Sequence, residues 1–157
     1  MDDNPYHAPQ TDVHADERMA KLEAASFLRR FFNYFIDFIA CYAIGFVLAF
    51  AYLLFAGEGA LAWMEQPNLL RDYAIGVGLM LIYYIPLEGM FGVTVGKLIT
   101  GTRVVDEQGR PPSWGQVIGR SVARLIPFEP FSVLFSDSRR PAGWHDRLPK
   151  TLVVRTR

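Results

Sequence analysis

Two long hydrophobic blocks dominate the pattern of apolar and polar positions along the chain. Residues 31–55 are almost wholly apolar, with only two polar interruptions, and residues 73–91 form a second apolar run. As a helix, each run is long enough to cross the roughly 30 Å of hydrocarbon in a bilayer. A soluble chain of 157 residues has little other material with which to bury two such helices. The pattern therefore predicts two transmembrane helices, at residues 27–56 and 72–91.

A third apolar segment, residues 114–135, has a weaker pattern. Arg120 and Arg124 lie one turn apart on one face of its first half, whereas Pro127 and Pro130 break its second half. We expect this segment to be a re-entrant or interfacial helical piece rather than a full span. The predicted class is thus an all-α membrane protein with two spans and a third, proline-broken segment.

Short strands and a polar tail complete the expected organisation. The stretch TRVVDEQGR, residues 102–110, is typical of a strand that runs into a turn, and TLVVRT, residues 151–156, is a suitable partner strand. We expect a short β-hairpin on the cytoplasmic side of the membrane. Residues 1–24 are polar and lack a hydrophobic period, which predicts a disordered cytoplasmic tail before one membrane domain at residues 25–157.

The formal net charge of zero hides an uneven distribution of basic residues. The connector at residues 56–72 holds a single base, Arg71, whereas the chain on either side of the two spans is rich in Lys and Arg. The positive-inside rule then places both termini in the cytoplasm. We expect Lys97, Arg103 and Arg110 to face anionic lipid headgroups at that surface.

Both predicted spans carry a polar stripe. Arg30 and Asp37 are seven residues apart, so they lie on one helix face about 10 Å apart along the axis, and Asn33 shares that face. On the second span, Tyr84 and Glu88 are four residues apart and form a comparable stripe. Such stripes cannot favourably face lipid, so they should face protein or a wet cavity.

The sequence leaves three roles open for Asp37. It can form a structural ion pair or a hydrogen bond to another segment, with Arg30, Arg120 and Arg124 as candidate partners. It can bind a proton or a cation, or it can contact another subunit of an oligomer. Two or three helices cannot enclose a route across the membrane, so any transport function requires an oligomer.

Several other functions find no support in the residues. The chain has no nucleophile motif, zinc-protease motif or dinucleotide fingerprint, so we predict no catalytic residue, no cofactor and no enzyme activity. His145 beside Asp146 has no third ligand at a suitable spacing, which argues against a metal site. The basic residues flank hydrophobic segments, so a membrane surface explains them better than nucleic acid.

A set of separate motifs resembles the RDD family of bacterial membrane proteins, named for an arginine and two aspartates. The resemblance extends over residues 25–155. Pro149 and Lys150 depart from the usual family pattern, as does the proline-broken third segment. The motifs that carry the resemblance are the spacing of Arg30 and Asp37, the block GKLITGTRVVDEQG, Arg120, and the terminal WHDRLPKTLVV.

The resemblance assigns the three eponymous positions to Arg30, Asp37 and Asp146. It implies a multi-pass protein of the bacterial inner (cytoplasmic) membrane. It also implies a transport function, because transport has been proposed for the family, including sodium–proton exchange in some members. We expect Asp146 to cap a turn or to pair with Arg30, Arg120 or Arg124.

Two functional hypotheses follow. In the first, the protein is a small transport-type protein that works as a homo-oligomer, with Asp37 and Glu88 binding a proton or monovalent cation and Arg30 as counter-charge. In the second, it is a non-transporting accessory or assembly subunit of a larger membrane complex, and its polar stripe is an interhelical contact.

Overall fold

The computed structural model describes residues 22–136 and 141–156. Over these residues the chain is mostly helical and contains one small antiparallel sheet. Its elements, in chain order, are α1 (Phe27–Ala56), α2 (Glu58–Glu65), α3 (Leu69–Phe91), α4 (Val95–Thr100), β1 (Thr102–Asp106), α5 (Trp114–Ala123), a 3-10 helix (Glu129–Phe135), α6 (Trp144–Arg147) and β2 (Thr151–Arg155).

Both predicted spans are present as helices. α1 covers the predicted range of residues 27–56. α3 begins three residues earlier than predicted, because the side chain of Asn68 caps its first turn by accepting a hydrogen bond from the Arg71 backbone N–H at 3.0 Å. The helix continues through Pro86 to Phe91.

The outer surfaces of α1 and α3 are apolar. Both helices are long and hydrophobic enough to cross a membrane, and no residue in the most hydrophobic window of α1 is buried. Large side chains such as Phe46 and Phe55 are 73% and 90% exposed. A core helix of a soluble protein would bury these groups, whereas lipid accommodates them at no cost.

The two strands pair as expected, but they do not form a hairpin. β1 and β2 are antiparallel, with Val104 opposite Val153 in the centre of the register. The prediction of a hairpin was wrong, because residues 107–150 lie between the strands and include α5, the 3-10 helix and α6. The side chain of Asp106 accepts hydrogen bonds from the backbone N–H groups of Gln108 and Arg110, which turns the chain after β1 toward α5.

The sheet also holds the start of the described chain. Ala24 forms an antiparallel bridge with Val154, and the Arg155 side chain donates to the Glu23 carboxylate at 2.6 Å. Glu23 and Ala24 belong to the predicted tail, so the ordered structure begins before residue 25. The prediction for residues 1–21 lies outside the described residues.

The third apolar segment is divided into two short pieces. α5 begins at a capping box formed by Ser113 and Gln116, and it is followed by a turn at residues 124–128 and then by the 3-10 helix. α5 has 10 residues, which gives it a length of about 15 Å, half of what a span requires. Its re-entrant or interfacial position stays a prediction.

Two glycines allow the short helices to pack closely against the long ones. A Cβ atom on Gly96 of α4 would lie 2.4 Å from the Asn33 carbonyl oxygen of α1. A Cβ atom on Gly89 of α3 would lie 2.3 Å from the ring of Trp114 at the start of α5. The first half of α1 and the last turns of α3 are thereby covered by α4 and α5, and the polar stripes of both helices lie beneath this cover.

Candidate functional site

The buried polar residues of the molecule gather where α1, α3, α4, α5 and α6 meet. Most of the residues singled out from the sequence are in this group, although they come from distant parts of the chain. The charged members and their polar neighbours are Arg30, Asn33, Asp37, Glu88, Thr94, Lys97, Arg120, Glu129 and Asp146.

Asp37 is 1% exposed and is bound by neutral donors. The Tyr83 hydroxyl donates to Oδ1 at 2.7 Å, the Gly96 backbone N–H donates to the same oxygen at 2.7 Å, and the Thr94 hydroxyl donates to Oδ2 at 2.6 Å. None of the described Lys, Arg or His residues forms an ion pair with this carboxylate. Three good hydrogen bonds offset much of the cost of burying the charge.

Glu88 is completely buried and is surrounded by cations. Lys97 Nζ and Arg124 Nη2 lie 2.9 and 2.6 Å from Oε1, and Arg120 Nε lies 2.9 Å from Oε2. The prediction that Lys97 faces lipid headgroups was wrong, because its side chain folds back onto Glu88 and is 4% exposed. Burial lowers the pKa of Lys97, and the Glu88 carboxylate opposes that shift.

Glu88, Asp146 and the cations that contact them form one ion-pair network, and Asp146 is its second buried anion. Arg30 Nη1 and Arg120 Nη1 donate to its two carboxylate oxygens. Burial alone would raise the pKa of Asp146, but the charges of Arg30 and Arg120 outweigh it and hold that pKa well below its usual range. The Gly143 backbone N–H at the start of α6 also donates to this carboxylate, at 3.3 Å.

Arg120 links the two anions. Its Nε binds Glu88 and its Nη1 binds both Asp146 and the Thr151 hydroxyl, so one guanidinium connects α3, α6 and β2. Burial would lower the pKa of Arg120, but Glu88 and Asp146 outweigh it and raise the pKa. Four cations therefore contact two carboxylates: Arg30, Lys97, Arg120 and Arg124 against Glu88 and Asp146.

The two other predicted supporting residues, Asn33 and Tyr84, lie at the edge of this network. The Asn33 amide lies between the hydroxyls of Thr100 and Thr102, which ties α1 to α4 and β1. The guanidinium of Arg124 lies over the Tyr84 ring, 4.0 Å from its centroid, as in a cation–π contact.

A second buried pair flanks the network. His145 Nδ1 contacts the carboxylate of Glu129, and the Ser132 hydroxyl donates to the same oxygen at 3.3 Å. Burial lowers the pKa of His145, so its imidazole is neutral near pH 7. Burial would raise the pKa of Glu129, but hydrogen bonding to His145 lowers it below its ordinary value. No group of three metal-ligating side chains converges among the described residues.

A cavity of about 330 Å³ opens beside these groups. This volume is at the lower end of the range typical of small-molecule sites, roughly 300–1,000 Å³. Both charged and aromatic side chains line the cavity. The charged and polar lining comprises Arg30, Asn33, Asp37, Lys97, Arg124, Glu129 and His145.

Sequence reasoning did not find several of these residues. Tyr83, Thr94 and Gly96 hold Asp37, yet an isolated tyrosine, threonine or glycine has no distinctive pattern in the sequence. Lys97 and Glu129 look like surface charges until the fold brings their partners to them. The close approach of α4 to α1 is the feature that could not be foreseen.

The comparisons with known proteins agree with the RDD resemblance. The sequence model of the RDD family matches residues 24–150, a range that contains the whole network. The chain is also similar to the uncharacterized protein YxaI of Bacillus subtilis (strain 168), with 32% identity over 149 residues, covering 83% of this chain and 96% of that protein. No solved structure matches the chain.

Proposed function

We propose a transport-type function for this chain, which belongs to the RDD family of membrane proteins. In this proposal it is a multi-pass protein of the bacterial inner membrane with both termini in the cytoplasm. It acts as a homo-oligomer and exchanges protons for a monovalent cation across the membrane. Asp37 is the group that gains and loses the coupling ion.

One observation carries the proposal: the Asp37 carboxylate lies in the wall of the 330 Å³ cavity and is bound by neutral donors. When a carboxylate with neutral partners takes up a proton, no buried cation loses its counter-charge. The energetic cost of changing its charge is therefore smaller than for an ion-paired group. A coupling site needs a group that can exist in both states.

Glu88 has a different role in this proposal. Three cationic side chains occupy both of its oxygens, so a proton or a cation could enter only by displacing one of them. We assign to Glu88, with Asp146, the role of fixing Arg120, Arg124 and Lys97 beside the cavity. The proposal thus separates an exchanging carboxylate from two positioning carboxylates.

The oligomer is part of the proposal because two long helices leave most of their surface uncovered. The outer half of α1 exposes large apolar residues, and no charged residue in it continues a path from Asp37. A route across the membrane would therefore have to pass between subunits.

The test is proton flux in proteoliposomes that contain the full chain and a trapped pH-sensitive dye, with an imposed Na⁺ or K⁺ gradient. We expect flux above that of empty vesicles, and its loss in Asp37→Asn. The matched control is Asp72→Asn, which changes an exposed aspartate in the first turn of α3 and should leave the flux unchanged. Equal flux in Asp37→Asn and wild type, or no flux above empty vesicles, would contradict the proposal.

An accessory or assembly role is the second candidate, and the exposure of α1 favours it. Phe31, Phe35, Phe38 and Tyr42 are 46–66% exposed and form ring contacts along one side of the helix. Aromatic surfaces of this kind suit contact with another membrane protein as well as with lipid. Co-purification with a partner at fixed stoichiometry, without any flux, would support this role.

A further inference from the structure

The cavity beside Asp37 has charged groups with unused hydrogen-bonding capacity. Arg30 uses Nη1 to bind Asp146, but its Nε and Nη2 have no acceptor in the described part of the chain. Arg124 uses Nη2 to bind Glu88, and its Nη1 has no acceptor there either. The side chains of Arg30 and Arg124 are only 6% and 9% exposed. Leaving buried donors unpaired is costly, so an acceptor should meet them.

The carboxylates that share the cavity already accept hydrogen bonds from other donors. The oxygens of Asp37 already accept from Tyr83, Thr94 and Gly96. Glu129 is bound by His145 and Ser132. The anions of the cavity are thus bound by other donors, whereas two of the arginines that line it keep buried N–H groups without an acceptor among the described residues. A ligand made only of acceptors, such as a phosphate or a carboxylate, fits these donors.

Partly exposed aromatic side chains, here called the aromatic wall, also line the cavity. Phe27, Phe31, Tyr34 and Phe131 line it, and each of them is 41–57% exposed. The first three belong to the first turns of α1, at the end of the span where Arg29 and Arg30 mark the edge of the hydrocarbon. Phospholipid phosphates lie at this level, and their acyl chains extend from it along the helix surface.

We propose that this cavity binds the phosphate group of an anionic phospholipid through Arg30 and Arg124, with an acyl chain against the aromatic wall. Lys97 also lines the cavity and contributes positive charge there. The site does not depend on transport, since it requires only that α1 spans a membrane. A free oxyanion could satisfy the same donors, but it would leave the aromatic wall without an occupant.

The test is native mass spectrometry of the full chain released from detergent, with phosphatidylglycerol or phosphatidylcholine added. We expect phosphatidylglycerol to bind at least about tenfold more tightly, because both lipids carry a phosphate but the choline ammonium would lie close to the positive charges of Arg30, Lys97 and Arg124. Arg124→Gln should remove most of this preference. Arg103→Gln, which removes an exposed charge of β1 outside the cavity, should leave it within about twofold.

Arg124 also binds Glu88, so a second variant is needed that leaves the network intact. Phe131→Glu places a negative charge on the aromatic wall and should also abolish the preference for phosphatidylglycerol. Phe128→Glu is its control, because Phe128 is 77% exposed, lies in the same segment and does not line the cavity. If both glutamate variants bind alike, or if Arg103→Gln is as damaging as Arg124→Gln, the lipids respond only to surface charge and the proposal fails.

Inorganic phosphate distinguishes the two sources of the oxyanion. We expect phosphatidylglycerol to stay bound when excess inorganic phosphate is added at constant ionic strength, since free phosphate gains nothing from the aromatic wall. Displacement of the lipid at equal concentrations would assign the site to a free anion and overturn the lipid proposal. Loss of flux in Asp37→Asn with lipid binding retained would separate this site from the proposed transport function.

Discussion

Asp37 and Glu88 are two buried carboxylates on neighbouring helices, and the protein gives them opposite partners. Two hydroxyls and a backbone N–H bind Asp37, whereas a lysine and two arginines bind Glu88. A carboxylate among neutral donors can change its charge at moderate cost. A carboxylate among cations is fixed in its ionised form, because its protonation would leave buried positive charge without compensation. Two buried carboxylates at neighbouring positions can therefore differ in the cost of changing their charge, because that cost depends on their partners.

The largest effect should come from Glu88→Gln. The variant keeps the shape of the side chain but leaves Lys97, Arg120 and Arg124 without their shared anion, and breaking a buried pair in this way costs about 3–5 kcal/mol. We expect a strong fall in the thermal unfolding midpoint of the detergent-purified protein, measured by tryptophan fluorescence. Glu107→Gln, at an exposed position after β1, is the control. A midpoint equal to that of the control would mean that Glu88 does not organise the network.

The contrast between the two carboxylates could be predicted only in part. The hydrophobic runs identified both long helices, because a continuous apolar stretch has few alternatives. The β-branched residues of TRVVD and TLVVR likewise identified the strands and their pairing. The sequence does not reveal which remote residues lie close together in the fold. Thr94 and Gly96 reach Asp37 only because α4 folds back onto α1, and nothing local requires that.

The charged residues show the same limit. Lys97 follows a glycine-rich turn, a position typical of a surface residue. In the structure its ammonium instead donates to the buried carboxylate of Glu88, nine residues earlier. The cost of burying Lys97 is offset by a partner in another helix. A prediction from residue type alone therefore assigns this lysine to the surface. Helix spacing identified Arg30 and Arg120, and the family resemblance added Asp146. The structure shows why the three occur together: Arg30 and Arg120 bind the two oxygens of the Asp146 carboxylate.

The second-largest effect should come from Gly96→Ala, which changes the packing around Asp37. The added Cβ would lie 2.4 Å from the Asn33 carbonyl oxygen and 2.9 Å from Asp37 Oδ1, so α4 would have to move away from α1. We expect a loss of about 2–3 kcal/mol, as for other overpacked interiors. Gly76→Ala is the control, because no atom lies within 4 Å of its added Cβ and alanine favours a helix. Equal midpoints for the two variants would show that α4 does not need this close contact.

Asp37→Asn should destabilise the protein less than Glu88→Gln does. The amide keeps one acceptor oxygen for the neutral donors of Asp37, and no buried cation loses a partner. We expect a loss of about 1–2 kcal/mol, the usual cost of weakening a buried hydrogen-bonded group. The unfolding midpoints of the two variants, measured side by side, test the contrast directly. If Asp37→Asn were the more damaging variant, the distinction between exchanging and fixed carboxylates would be lost.

The smallest effect should be a pH dependence at the edge of the network. Burial lowers the pKa of His145, so the unfolded chain takes up a proton at a higher pH than the folded protein does. The contribution to stability is therefore complete above the ordinary pKa of 6.5 and is lost as the pH falls through it toward the lower folded value. From about pH 7.5 to about pH 5.5 we expect the loss to be below about 1 kcal/mol.

His145→Gln should flatten this slope, whereas the control His7→Gln should not. The lowered pKa values of Glu129 and Asp146 act in the same direction but at lower pH, because the ordinary values of these groups are 4.5 and 3.8. A slope in this window that survives in His145→Gln would have to come from another group.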